Sequence, residues 1–311
     1  LKAYVSIRGA SRDNTILDGE NVNYLLNGID YADHYQISDM TIRYGSSLYN
    51  SNGYGAIDMN ENNSSSFSNL LFKGNHGRIS SCGYISNSNK FSLHAVEFTE
   101  NAGGSALRIG HANADTLFYD TVMLYNCHFI NNKPEYIDPE ASFGGGLALI
   151  GEGFSPYSDL ITGYLYNCLF EDNVSKDNIW AGSNSISTLF GANVKIINCT
   201  FGYNISENSE GANIGVTYNS DLIVYNSIMY GNYPAEFYMY ASNGEDCSLS
   251  IYNSLVEGGI EDIRILSPWN NLYYDPSNID TDPIWDTGAP WPYSLLEGSP
   301  CIDAGTLDLP P

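Results

Sequence analysis

Short runs in which apolar and polar residues alternate recur along the chain at intervals of 26 to 41 residues. Each run has seven residues, opens in most cases on Asn and closes in most cases on Asn or Gly. An alternation with a period of two predicts a β-strand, and a fixed spacing between such strands predicts a repeat architecture. The eight runs begin at Asp39, Asn69, Ala95, Asn126, Asn167, Asn198, Asn226 and Asn253.

The second and fourth residues of every run are apolar or small, which predicts that both point inward. The fourth residue is Phe in five successive runs. On neighbouring strands these rings are expected to stack about 4.8 Å apart, an arrangement that buries a large apolar area. The five are Phe72, Phe98, Phe129, Phe170 and Phe201.

The polar residues at the two ends of a run are predicted to have different roles. The opening Asn is expected to face inward and to hydrogen-bond its equivalents in the coils above and below, because a buried amide is costly unless it is paired. The closing Asn or Gly is expected to occupy a left-handed turn. The recurrence of Asn is thereby explained without catalytic chemistry.

A second apolar strand follows each run. Two or three short strands per coil are typical of a β-solenoid, whereas a propeller blade has four strands in about 40–45 residues. We therefore predict an all-β protein, a right-handed parallel β-helix of about ten coils. Residues 1–266 form the β-helix, with 1–45 as its first coils or cap, and 267–311 form an irregular segment of the same domain that packs on the solenoid.

Three runs, 126–132, 167–173 and 198–204, read Asn-Cys-x-Phe-x-x-Asn. They resemble the coils of the pectate-lyase-like right-handed β-helix superfamily, and the run 295–305 resembles the ending of many secreted bacterial β-helix surface proteins. The resemblance implies the fold and an extracellular or cell-surface location. It leaves the activity open, because that superfamily includes lyases, hydrolases, esterases and adhesins. A start at Leu1 without Met further suggests a piece of a longer precursor.

The charge balance excludes some functions. Twelve basic against 36 acidic residues give a net charge of −24, and such a surface repels nucleic acids. No run of 18 apolar residues exists, so no membrane span is expected. The acidity is interpreted either as solubility outside a cell or as an attraction for calcium and cationic partners.

The cysteines do not follow a metal-binding pattern. Cys127, Cys168 and Cys199 share the inward second position of three successive runs, and we interpret them as reduced core residues. A disulfide among the remaining three stays open. These are Cys82, Cys247 and Cys301.

Four outward residues are candidate catalytic groups. Arg43 and Lys73 share the fifth position in adjacent coils and form a basic pair, while Glu97 and His128 share the third position and form an acid–base pair. An ordinary solvated face is the alternative interpretation. The signature strings of the lyases and hydrolases with this fold are absent from the sequence.

Candidate binding residues lie where the repeat is irregular. Two insertions lengthen the coil of 41 residues, and long loops on a rigid scaffold often carry binding sites. Trp269, Trp285 and Trp291 of the C-terminal segment either cover the end of the solenoid or form a platform for sugar rings. The acidic residues of the insertions are Glu135, Asp138, Glu140 and Asp159.

No cofactor is required by the sequence, but Ca²⁺ is a candidate ligand. Asp275, Asp280 and Asp282 offer hard oxygen atoms close together, although their spacing does not match an EF-hand. The Asp-Pro pairs at 275–276 and 282–283 are equally typical of turn starts.

These observations favour a non-catalytic β-helix protein outside the cell that binds glycans or other surface partners, or forms part of a surface assembly. One alternative is a polysaccharide lyase or glycoside hydrolase with an unfamiliar active site. Another is a structural filament subunit, because open solenoid ends can self-associate.

Overall fold

A computed structural model describes residues 4–22, 25–27, 34–47, 53–60, 64–86, 89–110, 120–133, 145–151, 161–176, 183–207, 211–241 and 245–308. Almost all regular structure in these residues is β-strand, with one 3₁₀ turn at Gly259–Asp262. None of the helical structure in this part of the chain has the length and apolarity that a membrane crossing requires.

The strands are β1 Ser6–Arg8, β2 Ile16–Asp18, β3 Leu26–Asn27, β4 Gln36–Arg43, β5 Ile57–Asn60, β6 Ser65–Lys73, β7 His76–Ser86, β8 Lys90–His94, β9 Glu97–Thr99, β10 Ala102–Gly110, β11 Asp120–Tyr125, β12 His128–Ile130, β13 Leu147–Ile150, β14 Ile161–Tyr166, β15 Leu169–Glu171, β16 Val174–Ser175, β17 Ser183–Leu189, β18 Ala192–Ile197, β19 Thr200–Gly202, β20 Ile205–Ser206, β21 Ala212–Thr217, β22 Asp221–Tyr225, β23 Ile228–Tyr230, β24 Phe237–Tyr240, β25 Ser248–Tyr252, β26 Leu255–Val256, β27 Ile263–Ile265 and β28 Asn271–Tyr274.

The strands form a parallel β-solenoid. One sheet of 17 strands and one of nine face each other across the core, and a pair, β16 and β20, forms a third short sheet. In a typical coil, β8 and β9 belong to the long sheet and β10 to the nine-stranded one, and each pairs in parallel with its equivalent in the next coil. The predicted fold class is confirmed, with about seven turns instead of the ten expected.

The column of phenylalanines lies at the centre of the core. Phe72, Phe98, Phe129, Phe170 and Phe201 are all at most 1% exposed. Neighbouring ring centroids are 4.7–5.0 Å apart, with interplanar angles of 1–12°. The stack expected from the sequence is confirmed, and it holds the coils in register because a slip of one residue would turn every ring outward.

The cysteine column continues as serine. Cys127, Cys168 and Cys199 are buried and free, and the other three cysteines are free as well. The Cys199 backbone N–H donates to Oγ of Ser227 at 3.1 Å, and the Ser227 N–H donates to Oγ of Ser254 at 3.1 Å. Small polar atoms at this position therefore accept hydrogen bonds from the corner backbone.

The inward ladder of amides consists of the closing asparagines, which corrects the expectation from the sequence. Asn101 Nδ2 donates to Asn132 Oδ1 at 2.9 Å, and Asn132 Nδ2 donates to Asn173 Oδ1 at 2.9 Å. Each Oδ1 also accepts the backbone N–H of the preceding rung, and each Nδ2 also donates to a carbonyl of the preceding coil. The last rung is half-buried and the other five are buried. The six are Asn75, Asn101, Asn132, Asn173, Asn204 and Asn232.

The opening asparagines instead lie on the outside, in the left-handed conformation. Asn126 has φ 52°, Asn167 φ 54° and Asn198 φ 55°, and all three are exposed. A second left-handed residue, such as Glu100 or Asn131, immediately precedes each inward Asn. These two sharp corners turn the chain between its flat strands, and Asn tolerates the left-handed region better than most residues.

The C-terminal segment contacts the outside of the solenoid. Asn226 Nδ2 donates to the Thr306 carbonyl at 2.9 Å, and the Thr306 N–H donates back to Asn226 Oδ1 at 2.9 Å. Asn253 Nδ2 donates to the Ala304 carbonyl at 3.4 Å. The segment thus follows the column of outward asparagines. Self-association through the solenoid ends stays a prediction.

Candidate functional site

The two basic candidates lie side by side, and each contacts an acid. Arg43 and Lys73 are register partners on β4 and β6. Arg43 Nε lies 2.8 Å from a carboxylate oxygen of Asp18, and Lys73 Nζ lies 3.3 Å from one of Glu100. The Glu20 N–H lowers the pKa of Asp18 most, and the Arg43 contact lowers it further. The positive charge of each basic residue is therefore balanced by the carboxylate that it contacts.

The acid–base candidates are also register partners, and a third residue joins them. Glu97 on β9 pairs with His128 on β12. Arg12 Nη2 donates to a Glu97 carboxylate oxygen at 2.7 Å, and the Arg12 backbone carbonyl accepts a hydrogen bond from Thr41 Oγ1 at 2.7 Å. The pKa of His128 is lowered, mainly by burial and also by the charge of Arg12, although Glu97 opposes this shift. The imidazole is therefore neutral at neutral pH.

The three tryptophans differ in environment. Trp291 is 74% exposed and Trp269 51% exposed. Trp285 is half-buried and packs edge-on against Tyr293, with ring centroids 5.0 Å apart. Only Trp291 and Trp269 therefore offer an aromatic surface to solvent among the three.

Tyr293 attaches the segment around Trp291 to the solenoid. Its ring lies against Gly202 on β19, where an added Cβ would come within 2.5 Å of Cε1. Burial and the neighbouring Glu171 carboxyl raise the pKa of Tyr293 well above its usual range. Ser294 Oγ donates to the Trp291 carbonyl at 3.0 Å, which fixes the turn that carries the indole. A glycine at 202 is thus needed for this close approach.

A groove of about 210 Å³, here called the Trp291 groove, lies between this segment and the solenoid. It brings together His128, one of the catalytic candidates, and Trp291, one of the binding candidates. Its polar lining includes an imidazole, two outward amides and a hydroxyl. The lining residues are His128, Asn167, Cys168, Leu169, Asn198, Thr200, Trp291, Pro292 and Tyr293.

A second groove of about 480 Å³, here called the tail groove, lies further along the same corner. Asn198, Asn226 and Asn253 form one wall, and the chain from Cys301 to Leu307 forms the other. Asn198 lines both grooves. The two grooves therefore adjoin at Asn198.

Two pairs of tyrosines on the long sheet stack on each other, and one of them, Tyr225, is only 2% exposed. Tyr125 and Tyr166 stack with centroids 5.0 Å apart at 5°, and Tyr225 and Tyr252 stack at 4.9 Å and 21°. Because these rings lie face to face along the solenoid, each covers the face of its neighbour.

Of the aspartates proposed as calcium ligands, Asp275 and Asp282 cap turns, and Asp280 bonds the backbone of the preceding coil. Asp275 accepts the Ser277 N–H at 2.9 Å, Asp280 the Gly258 N–H at 3.0 Å, and Asp282 the Ile284 N–H at 2.7 Å. Nowhere in the described ranges do three or more His, Cys, Asp or Glu side chains form a group that could hold a metal ion. Calcium binding at these aspartates stays a prediction.

Other sequence candidates have no structural description. Glu135, Asp138, Glu140 and Asp159 lie outside the described residues. Conversely, sequence reasoning missed Arg12, Asn167, Asn198 and Tyr293. Ala95, which interrupts the column of opening asparagines, was the sequence signal that could have placed Asn167 and Asn198 on the surface. Arg12 and Tyr293 have no repeat position that would reveal them.

Comparison with known proteins finds no relative, because no protein-family model, no curated protein and no solved structure matches this chain.

Proposed function

We propose that this protein is a non-catalytic glycan-binding β-solenoid that works outside the cell or on its surface, with the Trp291 groove as its binding site. The observation that carries the proposal is the exposed Trp291 indole beside hydrogen-bonding side chains of the solenoid corner. Sugar rings have an apolar face of C–H groups and a rim of hydroxyls. An aromatic face together with amide and hydroxyl groups complements both.

Rigidity supports the same proposal. Thr200 lies on β19, and Asn167 and Asn198 occupy corners that directly follow strands paired in register, so the positions of all three are fixed by the neighbouring coils. Trp291 is held by the packing of Tyr293 on Gly202. A site whose groups are ordered before binding loses less conformational entropy when a flexible polysaccharide binds.

The extracellular location rests on the coils that resemble the pectate-lyase-like superfamily and on the net charge of −24. We infer membership of that superfamily from the Asn-Cys-x-Phe-x-x-Asn runs. An acidic surface also keeps a protein soluble and separate from other anionic surfaces.

One observation favours a lyase or hydrolase as a second candidate. His128 lines the groove, is neutral at neutral pH and neighbours Glu97, so it is placed to accept a proton. Against this candidate, Arg12 engages Glu97, and Arg43 and Lys73 are each paired with an acid.

The experiment compares wild type with Trp291→Ala in affinity electrophoresis through gels that contain single polysaccharides. Retardation by at least one neutral or acidic polysaccharide is expected, and Trp291→Ala should weaken it roughly tenfold, since aromatic contact contributes on the order of 1 kcal/mol or more. Trp269→Ala removes an exposed indole elsewhere and serves as the matched control. Equal retardation of both variants would overturn the proposal.

Catalysis is tested on the polysaccharide that binds. Unsaturated products are measured by ultraviolet absorbance and new reducing ends by a colorimetric assay. No turnover is expected. Turnover that His128→Ala abolishes would replace the non-catalytic proposal with the lyase or hydrolase.

A further inference from the structure

The two grooves along the corner of outward asparagines lie on successive rungs of one solenoid. Asn167, Asn198, Asn226 and Asn253 directly follow strands that pair in register from coil to coil. At about 4.8 Å per rung, these four residues extend over about 14 Å parallel to the solenoid axis. A ligand that fills both grooves must therefore lie along the axis.

The amide where the grooves adjoin is available to a ligand. Asn226 exchanges two hydrogen bonds with Thr306, and Asn253 donates to Ala304. The exposed Asn198 side chain, by contrast, has no hydrogen bond to any group within the described residues. Its Oδ1 and Nδ2 can accept from and donate to a hydroxyl-rich chain that passes from one groove into the other.

The charges around the grooves select against acidic ligands. In the described part of the chain neither groove is lined by Lys or Arg, and the tail groove contains Asp303. Glu171 and Asp172 lie next to Tyr293, and Arg12, whose charge acts on His128, is paired with Glu97. A uronate or sulfate polymer would bring its charges into this acidic surface without a lysine or arginine in the lining of either groove to meet them.

We propose that the ligand is an uncharged, extended polysaccharide that runs from the Trp291 groove through Asn198 into the tail groove, parallel to the solenoid axis. This inference rests on the proposed glycan-binding function and specifies its ligand class and path. Trp291 contacts one sugar face at the start of the path, and Asn198 hydrogen-bonds the chain at the junction.

The test uses neutral polymers (β-glucan, galactomannan and xylan) and acidic polymers (polygalacturonate and alginate) with the full chain. Retention by at least one neutral polymer and by neither acidic polymer is expected. For the neutral polymer that binds, calorimetry on its oligosaccharides should show an affinity that rises with length beyond the disaccharide.

Asn198→Gly tests the junction, because glycine keeps the left-handed backbone and removes only the amide. It should weaken the long oligosaccharides roughly fivefold, the effect of one or two lost hydrogen bonds. Asn69→Gly is the matched control, since it makes the same change at an exposed opening Asn, φ 50°, whose amide donates to Asp39 and contacts no residue that lines either groove. Circular dichroism confirms that both variants are folded.

The possible failures are distinguishable. Preferential retention by polygalacturonate or alginate would overturn the neutral class but leave glycan binding intact. An affinity that levels off at the disaccharide, or an Asn198→Gly result equal to that of Asn69→Gly, would overturn the axial path alone. If none of the neutral or acidic polymers retains the protein, both the inference and the proposed function are wrong.

Discussion

Two columns of asparagine run along this solenoid, six residues apart in a coil such as 126–132, and their environments are opposite. Asn132 is buried, and both atoms of its amide are hydrogen-bonded to neighbouring rungs and the backbone. Asn126 is exposed, and its backbone, at φ 52°, forms the corner. The same side chain thus stabilises the core in one column through its amide. In the other it stabilises a turn through its backbone conformation, and its amide bonds an exposed neighbour, as at Asn126, or the C-terminal segment, as at Asn226.

The largest difference between the columns is expected from Asn132→Leu. The change leaves two donors of Asn101 without their acceptor and removes a donor from Phe98 O and Asn173 Oδ1. Each buried group left unsatisfied costs about 1–3 kcal/mol, so the free energy of unfolding should fall by about 3–5 kcal/mol. Chemical denaturation followed by circular dichroism measures it. A decrease smaller than that of Asn126→Gly would contradict the ladder's role.

A pH-dependent effect is expected at the end of the inward column. Glu236 is fully buried and accepts hydrogen bonds from Asn232 and Asn213. Burial raises its pKa from 4.5 to about 8, so the folded protein binds this proton more tightly than the unfolded chain. The stability it contributes is complete below pH 4.5 and is lost as the pH rises to about 8, by up to about 1.4 kcal/mol per pH unit.

Glu236→Gln, which keeps one acceptor and has no charge, isolates that contribution. Across pH 5 to 8 the melting temperature of the wild type should fall relative to that of the variant. Differential scanning calorimetry in matched buffers gives both curves. Parallel curves would show that Glu236 does not titrate in this range.

A smaller effect is expected on the outer side, at His128. Because the charge of Arg12 lowers the pKa of His128, Arg12→Met should raise it, and the freed Glu97 should reinforce the rise. A proton NMR titration of the imidazole measures the change. Lys195→Met, which removes a distant cation on β18, should leave this pKa where it is; a fall after Arg12→Met would contradict the arrangement.

The smallest effect is expected from Asn126→Gly. Glycine adopts the left-handed corner freely, and the substitution removes an exposed hydrogen bond in which Asn167 Nδ2 donates to Asn126 Oδ1 at 3.3 Å. The free energy of unfolding should change by no more than about 0.5 kcal/mol, as is usual for surface positions. A decrease of several kcal/mol in the same denaturation assay would show that the outward column also carries the fold.

The solenoid and its phenylalanine stack could be predicted from the sequence. The alternation of apolar and polar residues indicates the strands, and the recurrence of the same strand once per coil indicates the solenoid. The roles of the two asparagines were exchanged, since both a ladder and a left-handed corner favour Asn. Ala95 is the residue that distinguishes the two columns in the sequence. It occupies the opening position and has no amide, so that column cannot be the uninterrupted ladder, whereas six successive closing positions are Asn.

The candidate site could be predicted only in parts. Glu97 and His128 share a repeat position, so their pairing follows from the register. Arg12 reaches Glu97 across 85 residues, and Trp291 reaches the His128 coil from a segment without a repeat. Such contacts depend on how the irregular segments pack on the solenoid. The periodicity of the sequence does not indicate how they pack, because these segments contain no repeat.

The inward amides all point the same way. Within the ladder, every Nδ2 from Asn75 onward donates to the next Asn toward the C-terminus, and the last, on Asn232, donates to the carboxyl of Glu236. At the other end the Gly45 N–H donates to Asn75 Oδ1. The column is therefore a line of aligned dipoles with a donor closing one end and an acceptor closing the other, and neighbouring bonds polarise one another. A whole coil can be added or removed in the middle without disturbing that line, whereas the two closing groups must stay in place, so the length of such a protein is free to change while its ends are not.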